Sequence, residues 1–393
     1  MNIVYIGGEP YPGSQGGSVH FGEVSTGLVK LGHKVLAVIP YEPGMPLREQ
    51  RDGMDIVRVP MKFRNRTFPL FALRAWRCIK RFKPDMIMER YVTFGGAGTV
   101  IARRWNIPLI LEVNSPHTEE LIYRIPVRNR LMQKIMRSWR DWQFNRAVAI
   151  LATLPTVIPE RYRDKFIQVQ WAANCDMFDR SAVSETAKKR LKEKLRLSDE
   201  PVVAFLGTFR NWHGVKHLPS IIKQVVDVLP NAKCIAVGEG DERRAVQKEV
   251  KRLGIEKSVI FTGSVPYTDV PAYLSLATVG IAPYDCDEYP PLKQFGFFWS
   301  PLKIFEYMAS GMPVITIDVE PLNQVVADGE RGFVVPEGNW SMFAEKIIKL
   351  LQNKDICFNM GITAREFASI HYSWNGHVRQ IAAILESFHG DHL

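Results

Sequence analysis

The stretch from Ser300 to Ile315 holds the residues of this sequence that are best placed to do chemistry. It reads SPLKIFEYMASGMPVI, and its early proline and late glycine predict a helix that begins near Leu302 and stops before a buried strand. Glu306 then lies one turn inside this helix, beside Lys303. A carboxylate here can accept two hydrogen bonds from a ribose diol, while Lys303 and the helix N–H groups can hold phosphates. The alternative is an exposed glutamate in an ordinary salt bridge.

A glycine-rich loop near the N-terminus is a second candidate for ligand binding. It spans Gly7–Ser18, between a predicted strand and a predicted helix, and it includes Gly16 and Gly17. Glycines before a helix let backbone N–H groups approach an anion at the positive helix end. The loop is too long for the dinucleotide pattern G-x-G-x-x-G. We therefore expect a phosphate or sugar contact, with a flexible turn as the alternative.

Another loop in the same strand-to-helix position runs from Gly207 to His217. Its cations lie where a diphosphate would meet the carboxyl edge of a sheet. They are Arg210, His213 and Lys216. His213 and His217 are also spaced like helical metal ligands, but no glutamate completes an H-E-x-x-H motif. A metal site is therefore the weaker interpretation.

A third glycine-rich loop, Val237–Arg243, contains Gly238 and Glu239 after a predicted strand. Arg243 stands where the NAD-binding fingerprint has its third glycine, so the support for NAD is weak. A plain strand-to-helix turn with acidic residues near the helix N-terminus is at least as good an interpretation as ligand contact.

These loops need parallel sheets to hold them, and the pattern along the chain predicts two. Apolar strand-like runs alternate with helical stretches from Asn2 to Trp171, and the pattern restarts at Val202. This order predicts an α/β fold of two tandem Rossmann-like, doubly wound domains whose strand ends face a cleft. We place the first domain at residues 1–172 and the second at residues 173–370.

Composition and length exclude several classes of protein. The chain has 393 residues, of which 46% are apolar and 23% are charged, as in ordinary globular proteins. Its five cysteines form no C-x-x-C pair, which indicates a reducing compartment rather than a disulfide framework or a zinc ribbon. No apolar run reaches the ~20 residues that span a bilayer, and the first residues read as a strand rather than a signal peptide. We therefore expect a cytoplasmic protein.

The net charge is +10, and the excess lies in the first half, where residues 1–170 hold 26 Lys and Arg against 14 Asp and Glu. It concentrates at Lys62–Arg81 and Arg124–Arg140, segments that also contain Trp76 and Trp139. Basic residues mixed with aromatic and aliphatic ones predict contact with an anionic surface, either lipid headgroups or nucleic acid. The alternative is a set of solvated helix faces.

Taken together, these motifs resemble those of the retaining nucleotide-sugar glycosyltransferases of family 4, which have the two-domain GT-B fold. The similarity covers nearly the whole chain, and its most specific part is the Ser300–Ala309 motif. Other matching segments are the Gly-Gly-Ser loop, Leu31–Val35, a hinge-like Ala173–Phe178, Asp328–Val335 and Ser373-Trp374. In this family the last helix crosses back to the first domain, which the resemblance implies for residues 371–393.

The resemblance also implies roles for individual residues. Glu306 matches the second glutamate of the family's paired-glutamate motif and is expected to hold the donor ribose. The backbone at Leu302 and Lys303 is expected to meet the diphosphate. The remaining expected contacts are those of Gly17 with the diphosphate, Val265 with the nucleobase and His117 with the donor sugar. Glu306 and His117 are therefore the candidate catalytic residues.

The sequence departs from the family pattern at several positions. The first glutamate of the pair is replaced by Phe298, and the usual Arg and Lys of the glycine-turn loop fall at Thr208 and His213. The candidates to replace these two cations opposite the phosphates are Arg210, Lys216 and Lys303. Asp285 and Asp287 imitate the metal-binding D-x-D of the other large glycosyltransferase fold. That fold has a single Rossmann-like sheet, so we expect no metal site here.

The activity implied by the resemblance is metal-independent, retaining transfer of a sugar from a nucleotide-diphosphate sugar, with no cofactor. In the family, a donor phosphate oxygen takes the acceptor proton on the same face. The expected acceptor is a lipid-linked or envelope glycan, reached by peripheral contact of the basic first domain with an anionic membrane; nucleic acid is not expected. Two alternatives stay open: a GT-B-fold sugar-nucleotide epimerase, and a catalytically silent sugar-nucleotide binder or partner subunit.

Overall fold

The computed structural model describes residues 1–13, 15–60, 69–124 and 129–390. Within these residues the strands, in chain order, are β1 (Asn2–Ile6), β2 (Lys34–Pro40), β3 (Arg48–Arg51), β4 (Met54–Val59), β5 (Met86–Arg90), β6 (Leu109–Val113), β7 (Ala149–Ala152), β8 (Phe166–Gln168), β9 (Val202–Leu206), β10 (Lys233–Val237), β11 (Val259–Gly263), β12 (Val279–Ala282), β13 (Val314–Ile317) and β14 (Gly332–Val335). The helices are α1 (Gly16–Lys30), α2 (Pro69–Phe82), α3 (Ala97–Trp105), α4 (His117–Arg124), α5 (Arg130–Arg146), α6 (Glu185–Leu195), α7 (Leu218–Val228), α8 (Arg243–Arg252), α9 (Val270–Ser275), α10 (Pro290–Phe295), α11 (Leu302–Ala309), α12 (Leu322–Val326), α13 (Trp340–Gln352), α14 (Lys354–His371) and α15 (Trp374–Gly390).

The chain divides into two compact units. The first consists of Met1–Trp171, Phe298–Ser300 and the stretch from Trp374 onward, and the second of Ala172–Phe297 and Pro301–Ser373. The short Phe298–Ser300 stretch therefore belongs to the first unit, although both of its chain neighbours belong to the second.

The first unit is built on an eight-stranded sheet in the order β3-β4-β2-β1-β5-β6-β7-β8. Neighbouring strands pair in parallel except β3, which runs antiparallel to β4 at the edge. Central strands such as β1 bury apolar residues on both faces, as expected when helices cover both sides of a sheet. Helix α15 packs on α1, where a Cβ on Gly27 would lie 2.5 Å from Val378. A glycine is needed there because the two helices approach closely.

The second unit contains a six-stranded, fully parallel sheet in the order β11-β10-β9-β12-β13-β14. This is the doubly wound order of a Rossmann-like domain. Its core joins the central strands to α7, α8 and α13, with Phe205, Ile221, Val250 and Phe343 among the buried residues. The predicted class of two doubly wound α/β domains is therefore confirmed.

The direction of the strand order changes beside the first strand of each sheet. This change lies between β1 and β5 in the first unit and between β9 and β12 in the second. Ligands of such sheets bind beyond the carboxyl ends of the strands at this point. The glycine-rich loops that follow β1 and β9 are therefore at the ligand-binding edges of their sheets.

Every strand predicted from the sequence has a counterpart in the structure, with ends that differ by a few residues. Among the described residues, one strand and four helices have no counterpart among the predicted elements: β3, α4, α6, α10 and α14. Strand β3 reads Arg-Glu-Gln-Arg and lies at the sheet edge, where polar residues replace the apolar alternation that marks a strand. Helices α4 and α10 are only eight and six residues long, which is too short for a clear helical period.

Candidate functional site

Lys303 is the most unusual ionisable group at the ligand-binding edge of the second unit. Leu302 and Lys303 open α11, and the lysine is only 6% exposed. Its Nζ lies 4.7 Å from the ring centroid of Phe205 and 4.8 Å from that of Tyr284, and 2.9 Å from the place that a Cβ on Gly207 would take. It has no hydrogen-bond acceptor among the described residues. Aromatic ring faces thus hold a buried amine that makes no hydrogen bond to a carboxylate among the described residues.

Burial of this kind opposes the charged form of Lys303. Taking an ammonium out of water is unfavourable unless an anion or several acceptors compensate it. Burial accordingly lowers the pKa of Lys303 to about 7, although Glu306 acts in the opposite direction. An anionic ligand at the same place would supply the counter-charge and restore an ordinary ammonium.

Glu306 lies one turn further along α11 and is also buried, with 5% of its surface exposed. Burial raises the pKa of its carboxyl to about 7, while a side-chain hydrogen bond with Tyr267 and the charge of Lys303 act against the rise. Tyr267 follows β11 and packs edge-on against Phe178. Val265, two positions earlier, is half-buried. A carboxylate that accepts one tyrosine hydroxyl can still accept further donors, such as the hydroxyls of a ribose.

His213 lies near Lys303 but is not a second cation. Its Nδ1 is 2.7 Å from the carbonyl oxygen of Thr208 and 3.2 Å from the hydroxyl of the same residue. A carbonyl oxygen only accepts hydrogen bonds, so Nδ1 carries the proton and Nε2 holds the lone pair. Burial, with a smaller effect of Lys303, lowers the pKa of His213 well below its usual range. The imidazole is therefore neutral and offers an acceptor.

The other two cations of this loop already have anionic partners. Arg210 is exposed and forms an ion pair with Asp241. Lys216 is exposed and lies 3.2 Å from a carboxylate oxygen of Asp285. Their charges are compensated by carboxylates of the protein, whereas the ammonium of Lys303 has no hydrogen-bonded carboxylate among the described residues. The structure thus distinguishes Lys303 from the other two candidates for supplying positive charge to a phosphate.

The third glycine-rich loop braces the turn that follows β9. A Cβ on Gly238, where φ is +139°, would collide with the carbonyl oxygen of Gly207, so a glycine permits the close approach of the two strand ends. The carbonyl of Glu239 accepts the N–H of Phe209 at 2.9 Å, and its carboxylate pairs with Arg243. Gly238 and Glu239 therefore shape the site through the backbone.

The two aspartates of the D-x-D sequence do not converge on a common point. Asp285 accepts a hydrogen bond from His217 at 2.8 Å and another from the N–H of Asp287 at 3.1 Å. The side chain of Asp287 pairs with Lys293. Among the residues that the structure describes, no group of three or more His, Cys, Asp or Glu side chains could hold a metal ion.

Phe298, which stands where the family pattern has a glutamate, belongs to the first unit. Its ring is fully buried and lies beside Trp299. Its carbonyl oxygen accepts the hydroxyl of Thr153 at 2.5 Å. A phenyl ring has no lone pair with which to accept a hydrogen bond, so this side chain cannot replace a carboxylate.

In the first unit, Gly16 and Gly17 are the first residues of α1. A Cβ on Gly17 would lie 2.9 Å from a carboxylate oxygen of Glu9, which is a structural reason for a glycine here. Arg90, the last residue of β5, donates to Glu9 at 2.8 Å and to the carbonyl of Gly17 at 2.9 Å. The first turn of α1 thus lies beside a carboxylate of the protein, and its contact with a diphosphate stays a prediction.

His117 is the first residue of α4, and Thr93 fixes its ring. The N–H of Thr93 donates to Nδ1 at 3.2 Å, and the Thr93 hydroxyl lies 2.7 Å from the same atom. A backbone N–H only donates, so Nδ1 holds the lone pair and Nε2 carries the proton. Burial, with a smaller effect of Arg124, lowers the pKa of His117 to about 4. The ring is therefore a neutral hydrogen-bond donor.

The structure brings together one subset of the residues predicted for the site. Leu302, Lys303, Glu306 and His213 lie around the start of α11, whereas Gly16, Gly17 and His117 belong to the first unit. Residues at the ligand-binding edges that sequence reasoning missed are Phe205, Tyr267, Tyr284 and Arg90. Each lies in or just after a strand, and this position is readable from the sequence, but the direction of the side chain is not.

Comparison with known families identifies glycosyltransferases over both units. The model of glycosyl transferases group 1 matches residues 187–367, and that of glycosyltransferase family 4 matches residues 14–158. The 2-deoxystreptamine glucosyltransferase of Streptomyces kanamyceticus is 24% identical over 360 residues, which are 84% of this chain and 88% of that protein. The alpha-D-kanosaminyltransferase of the same organism is 22% identical, over 72% of each protein.

Solved structures agree in fold. Sucrose-phosphate synthase of Thermosynechococcus elongatus matches over 99% of both chains, with a TM-score of 0.78 at 19% identity. Anabaena HepE, solved in complex with UDP-glucose, matches over 98% of this chain and 99% of its own, with a TM-score of 0.72 at 15% identity. At such identities the likeness establishes the fold alone, and that fold is the GT-B type expected from the sequence.

Proposed function

This chain belongs to the group 1 and family 4 glycosyltransferases, and from that premise we propose that it transfers a sugar from a nucleotide-diphosphate sugar to a glycan or lipid-linked acceptor. The observation that carries the donor assignment is Lys303, a buried amine without a hydrogen-bond partner among the described residues, one turn from the buried carboxyl of Glu306. A nucleotide sugar presents both matching groups, a diphosphate and a vicinal diol. HepE was solved with UDP-glucose, and a mycobacterial relative is named as GDP-mannose-dependent, so both nucleotides are candidates.

In this proposal the diphosphate lies between the first turn of α11 and the turn at Gly207. Lys303 provides the counter-charge, and the N–H groups at the start of α11 donate to the phosphate oxygens. Glu306 accepts the ribose hydroxyls. His213 offers its Nε2 lone pair to a ligand hydroxyl, because its Nδ1 proton is committed to the carbonyl of Thr208.

Catalysis then rests on the leaving group. Negative charge grows on the diphosphate as its bond to the anomeric carbon breaks, and a buried ammonium stabilises that charge more strongly than an exposed one. We propose retention: the acceptor oxygen attacks from the side that the diphosphate leaves and passes its proton to a departing phosphate oxygen. His117, with its proton on Nε2, is proposed to hold a hydroxyl of the donor sugar.

The test is a turnover assay with UDP-glucose, UDP-N-acetylglucosamine and GDP-mannose, ranked first by the rise in melting temperature that each causes. Release of nucleoside diphosphate only in the presence of an acceptor supports the proposal, and NMR of the product reports the anomeric configuration. Conversion of the donor without nucleotide release would identify an epimerase. Tight binding without turnover would identify a silent binder, and an inverted product would overturn retention.

Removal of divalent metal ions should leave the transfer rate unchanged. Lys303 takes the role that a metal ion plays in stabilising a leaving diphosphate, and the carboxylates of Asp285 and Asp287 have partners within the protein. The measurement is the initial rate with and without EDTA. A loss of activity that manganese restores would contradict the proposal and favour a metal site at these two aspartates.

For a lipid-linked acceptor, helix α5 offers a surface that suits an anionic membrane. Three apolar side chains there are strongly exposed: Leu131 at 65%, Met132 at 43% and Ile135 at 44%. Arg130 and Lys134 are exposed next to them. Apolar side chains flanked by cations on one helix are typical of segments that lie on anionic bilayers. We propose that this surface, residues 130–135, brings the protein to its acceptor.

Other parts of the predicted basic segments contribute less to this proposal. Arg137 and Arg140 pair with Glu119 at 2.9 and 3.1 Å. Trp76 and Trp139 are half-buried. Residues 61–68 and 125–128 lie outside the described residues. No helix in the described part of the chain is both long and apolar enough to cross a membrane.

The double variant Arg130→Glu with Lys134→Glu should abolish co-sedimentation with anionic vesicles at low salt. Each cation near an anionic bilayer contributes about 1 kcal/mol, and glutamates replace that attraction with repulsion. The matched control is Lys189→Glu with Arg190→Glu on α6, which makes the same charge change in the second unit. Wild-type protein that stays in the supernatant, or equal losses in both variants, would contradict the assignment of residues 130–135.

A further inference from the structure

Lys303 and Glu306 are two buried ionisable groups of opposite type on one helix, and the described residues around them include little else that titrates near neutral pH. The groups that face them are Tyr267 after β11, Tyr284 after β12, Tyr307 on α11, and His213 and Arg210 in the loop after β9. Burial raises the pKa of Tyr284 and Tyr307, His213 is neutral, and Arg210 is paired with Asp241. A proton that moves near neutral pH therefore moves on Lys303 or Glu306.

Within the protein itself, burial opposes the charge of both residues. The Nζ of Lys303 meets two ring faces and no acceptor among the described residues, which favours the neutral amine. The carboxyl of Glu306 is 5% exposed, which favours the neutral acid. Burial brings the pKa of each group to about 7. Near neutral pH both groups are therefore close to half-protonated.

A nucleotide sugar makes the opposite demand on both residues. Its diphosphate needs an ammonium as counter-charge, which favours the protonated form of Lys303. Its ribose hydroxyls donate hydrogen bonds, and an ionised carboxylate accepts such bonds better than a neutral acid does. The bound state therefore requires a charged Lys303 and a charged Glu306.

We propose that filling the site with a nucleotide sugar moves one proton from Glu306 to Lys303. At about pH 7 the O–H bond of the carboxylic acid breaks, an N–H bond forms on the amine, and the net charge of the protein does not change. The inference rests on the proposed function, because a phosphate joined to a diol is the ligand that makes both demands at once.

The pH dependence has a definite sign on each side of about pH 7. At lower pH, Lys303 already carries its proton, so binding only expels the proton of Glu306 and the affinity falls as pH falls. At higher pH, Glu306 is already ionised, so binding only takes up a proton at Lys303 and the affinity falls as pH rises. We expect a bell-shaped affinity with flanks that approach a tenfold loss for each pH unit.

Isothermal titration calorimetry with UDP-glucose and GDP-mannose, without acceptor, tests this directly. These probes are phosphate diesters and lack the ionisation that a terminal phosphate shows at about pH 6. Repeating each titration in buffers of different ionisation enthalpy counts the protons exchanged. We expect release of about one proton near pH 6 and uptake of about one near pH 8.

Two variants separate the acidic and the alkaline flank of the bell-shaped pH dependence. Lys303→Met should lose the uptake near pH 8 and keep the release near pH 6, whereas Glu306→Gln should do the reverse. If the methionine variant binds too weakly to titrate, the glutamine variant still isolates the lysine flank. The control is Lys223→Met, which changes a half-buried lysine of the same unit that is paired with Asp227, and it should keep both.

The outcomes distinguish the inference from the proposed function. Wild-type protein that binds a nucleotide sugar with no proton exchange and a pH-independent affinity would overturn the proton transfer and leave the proposed function standing. Absence of binding by either nucleotide sugar at every pH would overturn the donor assignment itself.

Discussion

Replacing Lys303 with methionine should weaken the binding of the nucleotide sugar by about 10- to 100-fold and leave the affinity for the free nucleoside nearly unchanged. A hydrogen bond to a charged group contributes about 1.5–3 kcal/mol, and about 1.4 kcal/mol corresponds to a factor of ten in affinity. Methionine is a suitable replacement between the rings of Phe205 and Tyr284 because its sulfur packs well against aromatic rings. Calorimetry with the nucleotide sugar and with its nucleoside, side by side at pH 7, measures both affinities.

The controls for this prediction are Arg210→Met and Lys216→Met. Both side chains are exposed and paired with carboxylates, and exposed ion pairs contribute only about 0–1 kcal/mol. Each control should therefore change the affinity by less than about fivefold. Equal losses for nucleotide sugar and nucleoside in the Lys303 variant would remove this residue from the phosphate site. A larger loss of affinity in either control would identify that residue as the cation that binds the phosphate.

The second large effect is expected for Glu306→Gln, which should weaken donor binding by about 1–3 kcal/mol, the scale of a charge-assisted hydrogen bond. A neutral amide accepts the ribose hydroxyls less strongly than a carboxylate does. Comparison of a ribonucleotide with its 2′-deoxy analogue supplies the specific readout. Wild type should prefer the ribonucleotide, and the variant should lose most of that preference. An unchanged preference would show that Glu306 does not hold the ribose.

The same substitution should stabilise the ligand-free protein at alkaline pH. The carboxyl of Glu306 has a pKa of about 7 in the folded protein and about 4.3 in an unfolded chain. The free energy of unfolding therefore falls as pH rises between these values, by on the order of 4 kcal/mol. Glutamine removes this slope, so urea unfolding should show the variant gaining on wild type between about pH 5 and pH 8. A variant that is less stable at both pH values would indicate a structural role for the carboxylate.

The sequence alone determined the fold class and located the candidate site along the chain. Parallel strands covered by helices on both faces are apolar throughout, so the strands and their restart at Val202 were readable as two doubly wound sheets. Loops at the carboxyl ends of the first strands follow from that topology, and the Ser300–Ala309 motif identified α11. Strand β3 escaped because an edge strand of Arg-Glu-Gln-Arg carries no apolar pattern.

Only the tertiary structure decided which of the predicted cations are not neutralised by a carboxylate of the protein. In the sequence, Arg210, Lys216 and Lys303 are equivalent candidates. In the structure, Asp241 neutralises Arg210 and Asp285 neutralises Lys216, and both aspartates lie on loops after other strands. The donor and acceptor nitrogens of His213 and His117 likewise depend on Thr208 and Thr93. Burial and neighbouring groups set the free energy of a charge, and both depend on side chains that meet only when distant strands pair. A one-dimensional pattern can therefore place a cation at a sheet edge, whereas only the packed structure shows whether that cation is still without an anion.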